Sequence, residues 1–134
     1  MDRLKYKDDL EKLTSWALDK GYSVEISMDG DNSVDREAKL ISLSNKRPLE
    51  HQVCVLLHEC GHIQIFENEG TLCMEDIRSK WSENSRKAKT SVLIEEVEAW
   101  RRGINLARKL RLSINLETIK LNMVNAILKY AQWC

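Results

Sequence analysis

Residues 53–62 read Val-Cys-Val-Leu-Leu-His-Glu-Cys-Gly-His, so that a run of five apolar residues precedes two histidines. The apolar run predicts a buried helix, and residues four apart on a helix project from one face. The rings of His58 and His62 can therefore reach a single metal ion, with the Glu59 carboxylate beside its open side. The chain has only three histidines, and two of them occupy this pattern. This favours a metal site over two ordinary hydrogen-bonded histidines in the core or on the surface.

Length and composition predict one domain, residues 1–134, with a single modest core. The 21 basic residues balance 21 acidic ones, which argues against nucleic acid or a membrane as a partner. No apolar run approaches the ~18–20 residues of a membrane span or resembles a signal peptide. The four cysteines lack zinc-finger spacing. We therefore expect a cytoplasmic protein with reduced thiols.

The first half of the chain predicts two helices separated by two strands. Hydrophobic spacing predicts a helix over about 2–20, and alternation predicts strands at about 22–28 and 38–43. Pro48 suits the first turn of a helix, so the helix that carries the histidines should run over about 48–66. With the helices predicted further along the chain, this order indicates an α+β fold that is mainly helical, with a small antiparallel sheet.

The second half of the chain predicts a loop and two more helices. Residues 67–90 have weak periodicity, and we expect a loop there with a short helix at about 74–81. A long amphipathic helix is predicted over 91–111. The last helix should follow Ser113 or Asn115, either of which can cap its first turn.

A catalytic zinc site normally has three protein ligands, so a third must come from elsewhere in the chain. His51 precedes His58 on the same helix by about 10 Å along the axis, and it cannot join the same ion while the helix is intact. No histidine follows His62. The third ligand must therefore be a carboxylate or a cysteine.

The long helix at 91–111 offers three carboxylates, and helical phase separates them. Glu96 falls near the middle of the apolar arc, whereas Glu98 lies on the opposite side and Glu95 on the outer edge. A carboxylate that points into a core costs several kcal/mol unless it is paired. We therefore predict Glu96 as the third ligand, with an ion pair to a buried lysine or arginine as the alternative. The predicted arc comprises Val92, Leu93, Val97, Trp100, Gly103, Ile104, Ala107 and Leu110.

Small residues predict a close approach between the two helices that carry these ligands. Gly61 interrupts the first helix at a cost of about 1 kcal/mol relative to alanine, which suggests that another backbone packs against it. On the second helix, Ala99 and Gly103 are the small neighbours of Glu96. We expect the two helices to meet at these positions.

Two blocks of sequence resemble the gluzincin class of zinc metallopeptidases, and within it the small ImmA/IrrE-type enzymes of bacteria and phages. That family pairs Leu-His-Glu-x-Gly-His with a downstream Glu-x-x-Ala-Asn; residues 57–62 match the first block and residues 96–99 most of the second. The likeness covers about residues 39–107. It implies a minimal zincin domain that holds Zn²⁺. Trp100 stands where the family usually has asparagine, so another group must steady the ligand histidine.

The activity that these residues predict is zinc-dependent hydrolysis of peptide bonds. Glu59 is the expected general base, and the expected partner is a protein or peptide substrate, with a narrow target. Such a reaction also needs a donor to the oxyanion. The candidates are Tyr22, Tyr130, His51 and the arginines of residues 78–89, which the sequence does not rank.

Two other functions stay open at this point. In one, Cys73 is a fourth ligand of a closed zinc site, and the protein is a binding or regulatory protein without hydrolytic activity. A structural site does not require Glu59, which argues against this reading. In the other, basic residues around Trp81 contact nucleic acid or an acidic partner, although such charge runs are usually solvated surface. Those residues are Arg78, Lys80, Arg86 and Lys87.

Overall fold

The computed structural model describes residues 2–28, 32–69 and 86–133. These ranges contain four helices and three strands, which confirms a mainly helical α+β fold. In chain order the elements are α1 (Asp2–Asp19), β1 (Ser23–Ser27), β2 (Ser33–Asp35), β3 (Leu40–Ser44), α2 (Leu49–Glu69), α3 (Arg86–Leu110) and α4 (Leu116–Trp133).

The three strands form a mixed sheet in the order β1-β3-β2. Strand β2 pairs antiparallel with β3, with Val34 opposite Ile41, whereas β1 pairs parallel with β3. The predicted antiparallel sheet is therefore wrong for one of its two pairings. The reason is β2, which the sequence analysis did not predict. It forms a hairpin with β3 through a tight turn in which Lys39 has a φ of 54°, so only the far edge of β3 accepts β1.

The predicted helices are present, but α3 begins five residues earlier than the predicted start at Ser91. The Thr90 hydroxyl donates to the carbonyl oxygen of Arg86, and the Ser91 hydroxyl donates to that of Ala88, both at 2.7 Å. Such bonds to the preceding turn let polar residues lie within a helix. The expected loop at 67–90 is thus helical at both described ends. The expected short helix at 74–81 lies outside the described residues.

Helix α2 lies at the centre of the fold, where it contacts α1, β3, α3 and α4. Its apolar run is buried as predicted, with Val53, Leu56 and Leu57 fully inaccessible to solvent. Cys54 and Cys60 are buried free thiols. Burial, aided by the Glu50 charge, raises the pKa of Cys54 to about 12. Among the residues that the structure describes, no helix is long and apolar enough to cross a membrane.

The backbones of α2 and α3 touch at Gly61 and Ala99. A Cβ atom added to Gly61 would lie 1.9 Å from the Ala99 carbonyl oxygen, and one added to Gly103 would lie 2.9 Å from that of Leu57. Atoms at the first distance would overlap, so only glycine fits at position 61. The close approach that the small residues predicted is confirmed.

A buried carboxylate anchors α1 to the connection between α3 and α4. Asp9 is fully buried and accepts hydrogen bonds from the backbone N–H groups of Ser113 and Ile114, at 2.6 and 2.9 Å. Asn115 then caps α4, because its Oδ1 accepts a hydrogen bond from the Thr118 N–H at 2.8 Å, as one of the two predicted caps. These contacts fix where α4 begins relative to α1.

An Asp9→Ala variant should lose about 2–3 kcal/mol of unfolding free energy, because the Ile114 N–H is buried and would lose its acceptor. Urea denaturation measures this loss as a lower midpoint at unchanged slope. Asp8 is the matched control, since it is exposed and pairs with Lys12 on the surface. Asp8→Ala should cost less than about 1 kcal/mol. Equal stability of the two variants would remove the structural role of Asp9.

Candidate metal centre

Helices α2 and α3 bring the three predicted metal ligands together. His58 and His62 project from α2 with their Nε2 atoms 3.1 Å apart. From α3, Glu96 Oε2 lies 2.6 Å from His58 Nε2, and Glu96 Oε1 lies 3.2 Å from His62 Nε2. In the described part of the chain, the ion-pair partners of Glu96 are thus the two imidazoles. That these side chains bind a metal stays a prediction.

The spacing of the three groups fits a tetrahedral zinc site. Zinc bonds of roughly 2.0–2.1 Å at tetrahedral angles put neighbouring ligand atoms about 3.3 Å apart. The separations of 3.1 and 3.2 Å are close to this value, and the separation of 2.6 Å between Glu96 Oε2 and His58 Nε2 is shorter. The short contact of Glu96 Oε2 with His58 Nε2 lacks hydrogen-bond geometry, so the oxygen is buried without a hydrogen-bond partner among the described residues. The donor atoms therefore face a common point, as the ligands of one ion do.

In the metal-free protein the charges of these groups depend on one another. Burial alone would raise the pKa of Glu96, but its polar contacts with His58 and His62 outweigh this and lower the pKa to about 2. Burial alone would lower the pKa of His62, but the contact with Glu96 and the negative charge of Glu59 raise it. The carboxylate of Glu96 is therefore ionised at neutral pH, as a metal ligand must be.

Glu59 lies beside His58, His62 and Glu96, but its carboxylate faces a different nitrogen of the His58 ring from the one that Glu96 faces. Its carboxylate and the two imidazoles offer ligand atoms that all lie within 4.8 Å of one another. Glu59 Oε1 is 3.5 Å from Nδ1 of His58, however, whereas Glu96 faces the Nε2 atoms of both rings. Burial raises the pKa of Glu59, against the opposing effect of His58 and His62. Its Oε2 is buried and lacks a hydrogen-bond partner in the described ranges.

Trp100 packs against the His58 ring. The two ring centroids are 4.6 Å apart and the ring planes differ by 9°. Trp100 is itself buried, so the indole limits how the imidazole can rotate. The residue that steadies a predicted ligand histidine could not be named from the sequence, and stacking on Trp100 is a contact that restrains the His58 ring. Its position one turn after Glu96 was the signal that could have identified it.

The structure agrees with the predicted position of Glu98 on α3 but not with that of Glu95. Glu98 lies on the surface of α3, as predicted, where it accepts hydrogen bonds from Arg101 and Arg102. The prediction that Glu95 lies on the outer edge is wrong, because Glu95 is buried and lines the same cavity as the histidines. The buried face of α3 is rotated from the expected arc toward Glu95, which leaves Val97 46% exposed. The tight contact at Ala99 and Gly103 determines this rotation.

A cavity of about 430 Å³ opens beside the proposed ligands. Of the predicted oxyanion donors, Tyr130 lines it, whereas Tyr22 does not and His51 contacts Asn122 elsewhere at 3.2 Å. Arg36, which the sequence analysis did not single out, also lines it. The lining residues are Ser33, Val34, Arg36, His58, Glu59, His62, Phe66, Glu95, Glu96 and Tyr130.

Several predicted positions fall elsewhere. Cys73, Arg78 and Trp81 lie outside the described residues. Arg86 and Lys87 belong to the first turn of α3 and are exposed.

Comparison of the chain with protein-family models, with curated proteins and with solved structures found no match.

Proposed function

We propose that the protein is a zinc-dependent peptidase in which His58, His62 and Glu96 hold Zn²⁺. The observation that carries this proposal is the convergence of two imidazole nitrogens and one carboxylate, from two helices, on a single point. A second carboxylate, Glu59, lies beside that point, and its Oε2 has no hydrogen-bond partner among the described residues. A purely structural site has no need of this additional group.

Glu59 is the general base in the proposed reaction. A bound Zn²⁺ supplies Lewis-acid chemistry, lowering the pKa of water and polarising a carbonyl group. Glu59 takes a proton from the attacking water and transfers it to the leaving amine. Burial raises the pKa of this carboxyl, which brings it closer to neutral pH and favours both transfers.

Tyr130 is the proposed donor to the negative charge that develops on the substrate oxygen. It reaches the cavity from α4. Burial, the negative charges of Glu96 and Glu59, and a hydrogen bond to Glu96 all raise the pKa of its phenol. The hydroxyl therefore keeps its proton at neutral pH, and it can donate this proton in a hydrogen bond to an oxyanion by turning from Glu96 toward the substrate.

The position of β2 supports a peptide as the substrate. In the described sheet β2 is an edge strand, and its residues Ser33 and Val34 line the cavity. An extended peptide can bind to such an edge through backbone hydrogen bonds, in the manner of an added strand. A peptide bond that lies along this edge would pass the proposed metal ligands.

A Glu59→Gln variant tests this function. The zinc-loaded wild-type protein should cleave members of a mixed library of unstructured peptides, as measured by mass spectrometry. Glu59→Gln should lower the rate by about 10²–10⁴-fold, because glutamine cannot accept the proton. Elemental analysis should still find bound zinc in this variant.

Glu98→Gln is the matched control, since Glu98 lies on the surface of α3 and pairs with arginines. It should retain both zinc and activity. Undiminished activity of Glu59→Gln would remove Glu59 from its role. A zinc-loaded wild-type protein that cleaves no peptide would contradict the proposed function itself.

A further inference from the structure

Arg36 places a positive charge on the wall of the cavity. It is the only lysine or arginine among the described residues that line this space. Its guanidinium carbon lies 3.8 Å from the centre of the Phe66 ring. Phe66 follows His62 by one helical turn, with the two ring centroids 6.0 Å apart. One aromatic ring therefore separates the Arg36 charge from a proposed zinc ligand.

Both the backbone and the side chain of Arg36 are held in place. Arg36 begins the turn that follows β2, and Asp35 Oδ1 accepts hydrogen bonds from the N–H groups of Glu37 and Ala38, each at 3.0 Å. This bonding pattern fixes the turn. The cation–π contact with Phe66 then restricts the side chain, although it is exposed to solvent. A charge held in this way loses little conformational freedom when it binds a ligand.

The other charges of the cavity determine where an anionic group can bind. Glu59, Glu95 and Glu96 line the same space, and their carboxylates repel a substrate carboxylate. The positive charge of Arg36 attracts a substrate carboxylate to its side of the cavity. A guanidinium group has five N–H donors and suits the two oxygens of a carboxylate, so Arg36 can bind a carboxylate in addition to the contacts that it makes within the protein.

We propose that Arg36 makes the peptidase selective for substrates that present a carboxylate close to the cleaved bond. This carboxylate is an acidic side chain or the C-terminal carboxylate of the substrate, and the inference rests on the proposed peptidase function. The two ring contacts limit the distance from the His62 ring to the guanidinium carbon to about 10 Å, and an extended chain advances roughly 3.3 Å per residue. The carboxylate should therefore lie within about three residues of the cleaved bond.

Cleavage of paired peptides tests this selectivity. One pair differs by Glu against Gln at a position near the cleaved bond, and a second pair by a free C-terminal acid against its amide. The zinc-loaded wild-type protein should favour the acidic member of one pair by about tenfold or more in kcat/KM. Arg36→Gln should raise KM for that member about tenfold, with kcat and the neutral member little changed. Arg36→Lys should restore part of the preference, and Arg47→Gln, at an exposed arginine outside the cavity, should leave it intact.

Binding to the Glu59→Gln variant gives a second measurement that does not depend on hydrolysis. The same peptides, titrated by calorimetry into this zinc-loaded variant, should show the acidic preference, and adding Arg36→Gln should abolish it. Hydrolysis without an acidic preference in either pair would overturn the role of Arg36 and leave the peptidase function standing. Acidic preference in binding without wild-type hydrolysis would overturn the peptidase function and support Arg36 as the carboxylate site. Neither hydrolysis nor binding would overturn both.

Discussion

A Gly61→Ala variant is expected to lose at least about 4 kcal/mol of unfolding free energy, which corresponds to roughly a thousandfold change in the ratio of folded to unfolded protein. The added methyl group would lie 1.9 Å from the Ala99 carbonyl oxygen and 2.7 Å from its carbonyl carbon. Overpacking by one or two carbons usually costs about 1–3 kcal/mol, because side chains can move aside. Backbone atoms of a neighbouring helix cannot rotate away. The whole of α3 would have to shift.

Urea denaturation of Gly61→Ala beside Gly103→Ala measures this effect. A methyl group at Gly103 would lie 2.9 Å from the Leu57 carbonyl oxygen, which is also too close for two packed backbones but needs a smaller shift than the contact at Gly61. Alanine also favours a helix over glycine by about 1 kcal/mol, which offsets part of the cost. Gly103→Ala should therefore lose stability as well, but less than Gly61→Ala. A Gly61→Ala protein as stable as the wild type would mean that α2 and α3 do not meet at this point.

Glu96→Ala is expected to weaken zinc binding by more than roughly 10–100-fold. That range is the usual cost of removing a group that only hydrogen-bonds to a metal ligand. The variant removes one of three proposed ligands, and it also leaves His58 and His62 without the carboxylate that both contact. Glu98→Ala, two residues along the same helix, removes contacts with Arg101 and Arg102 and none with the proposed ligands in the described residues. It should bind zinc as the wild type does. Equilibrium dialysis against a competing chelator measures the two affinities.

A thermal denaturation series distinguishes loss of the ligand from loss of the fold. Zinc should raise the melting temperature of the wild type and of Glu98→Ala, because a ligand that binds the folded state stabilises it. Glu96→Ala should melt cooperatively but respond far less to zinc. If Glu98→Ala lost zinc while Glu96→Ala kept it, the assignment of the third ligand from helical phase would be wrong.

The helices could be predicted because their signals are local. The apolar run before His58 and the cap at Asn115 each lie within the element that they specify, so a short window of sequence contains the information. The sheet order depends on which distant strands pair. Strand β2 has three residues, too few to show an alternating pattern, and without it the parallel pairing of β1 could not be inferred.

The three proposed metal ligands could be predicted from the sequence, whereas most of the other residues that line the cavity could not. Spacing on one helix and phase on another brought His58, His62 and Glu96 together, because each pattern is a property of a single helix. Which residues line the cavity depends on the rotation of α3 against α2, and the contact at Gly61 sets that rotation. The helical phase of the apolar residues therefore could not predict that Glu95 is buried.

The hydrogen bonds of Asp9 join residues 104 and 105 positions apart in the chain. During synthesis on the ribosome, α1 emerges before the connection between α3 and α4. The Asp9 carboxylate therefore lacks these hydrogen-bond partners until that connection has been made. All three proposed zinc ligands precede that connection in the sequence, whereas Tyr130 follows it. A nascent chain can therefore bring the three proposed ligands together before α4 docks and adds Tyr130 to the lining of the cavity.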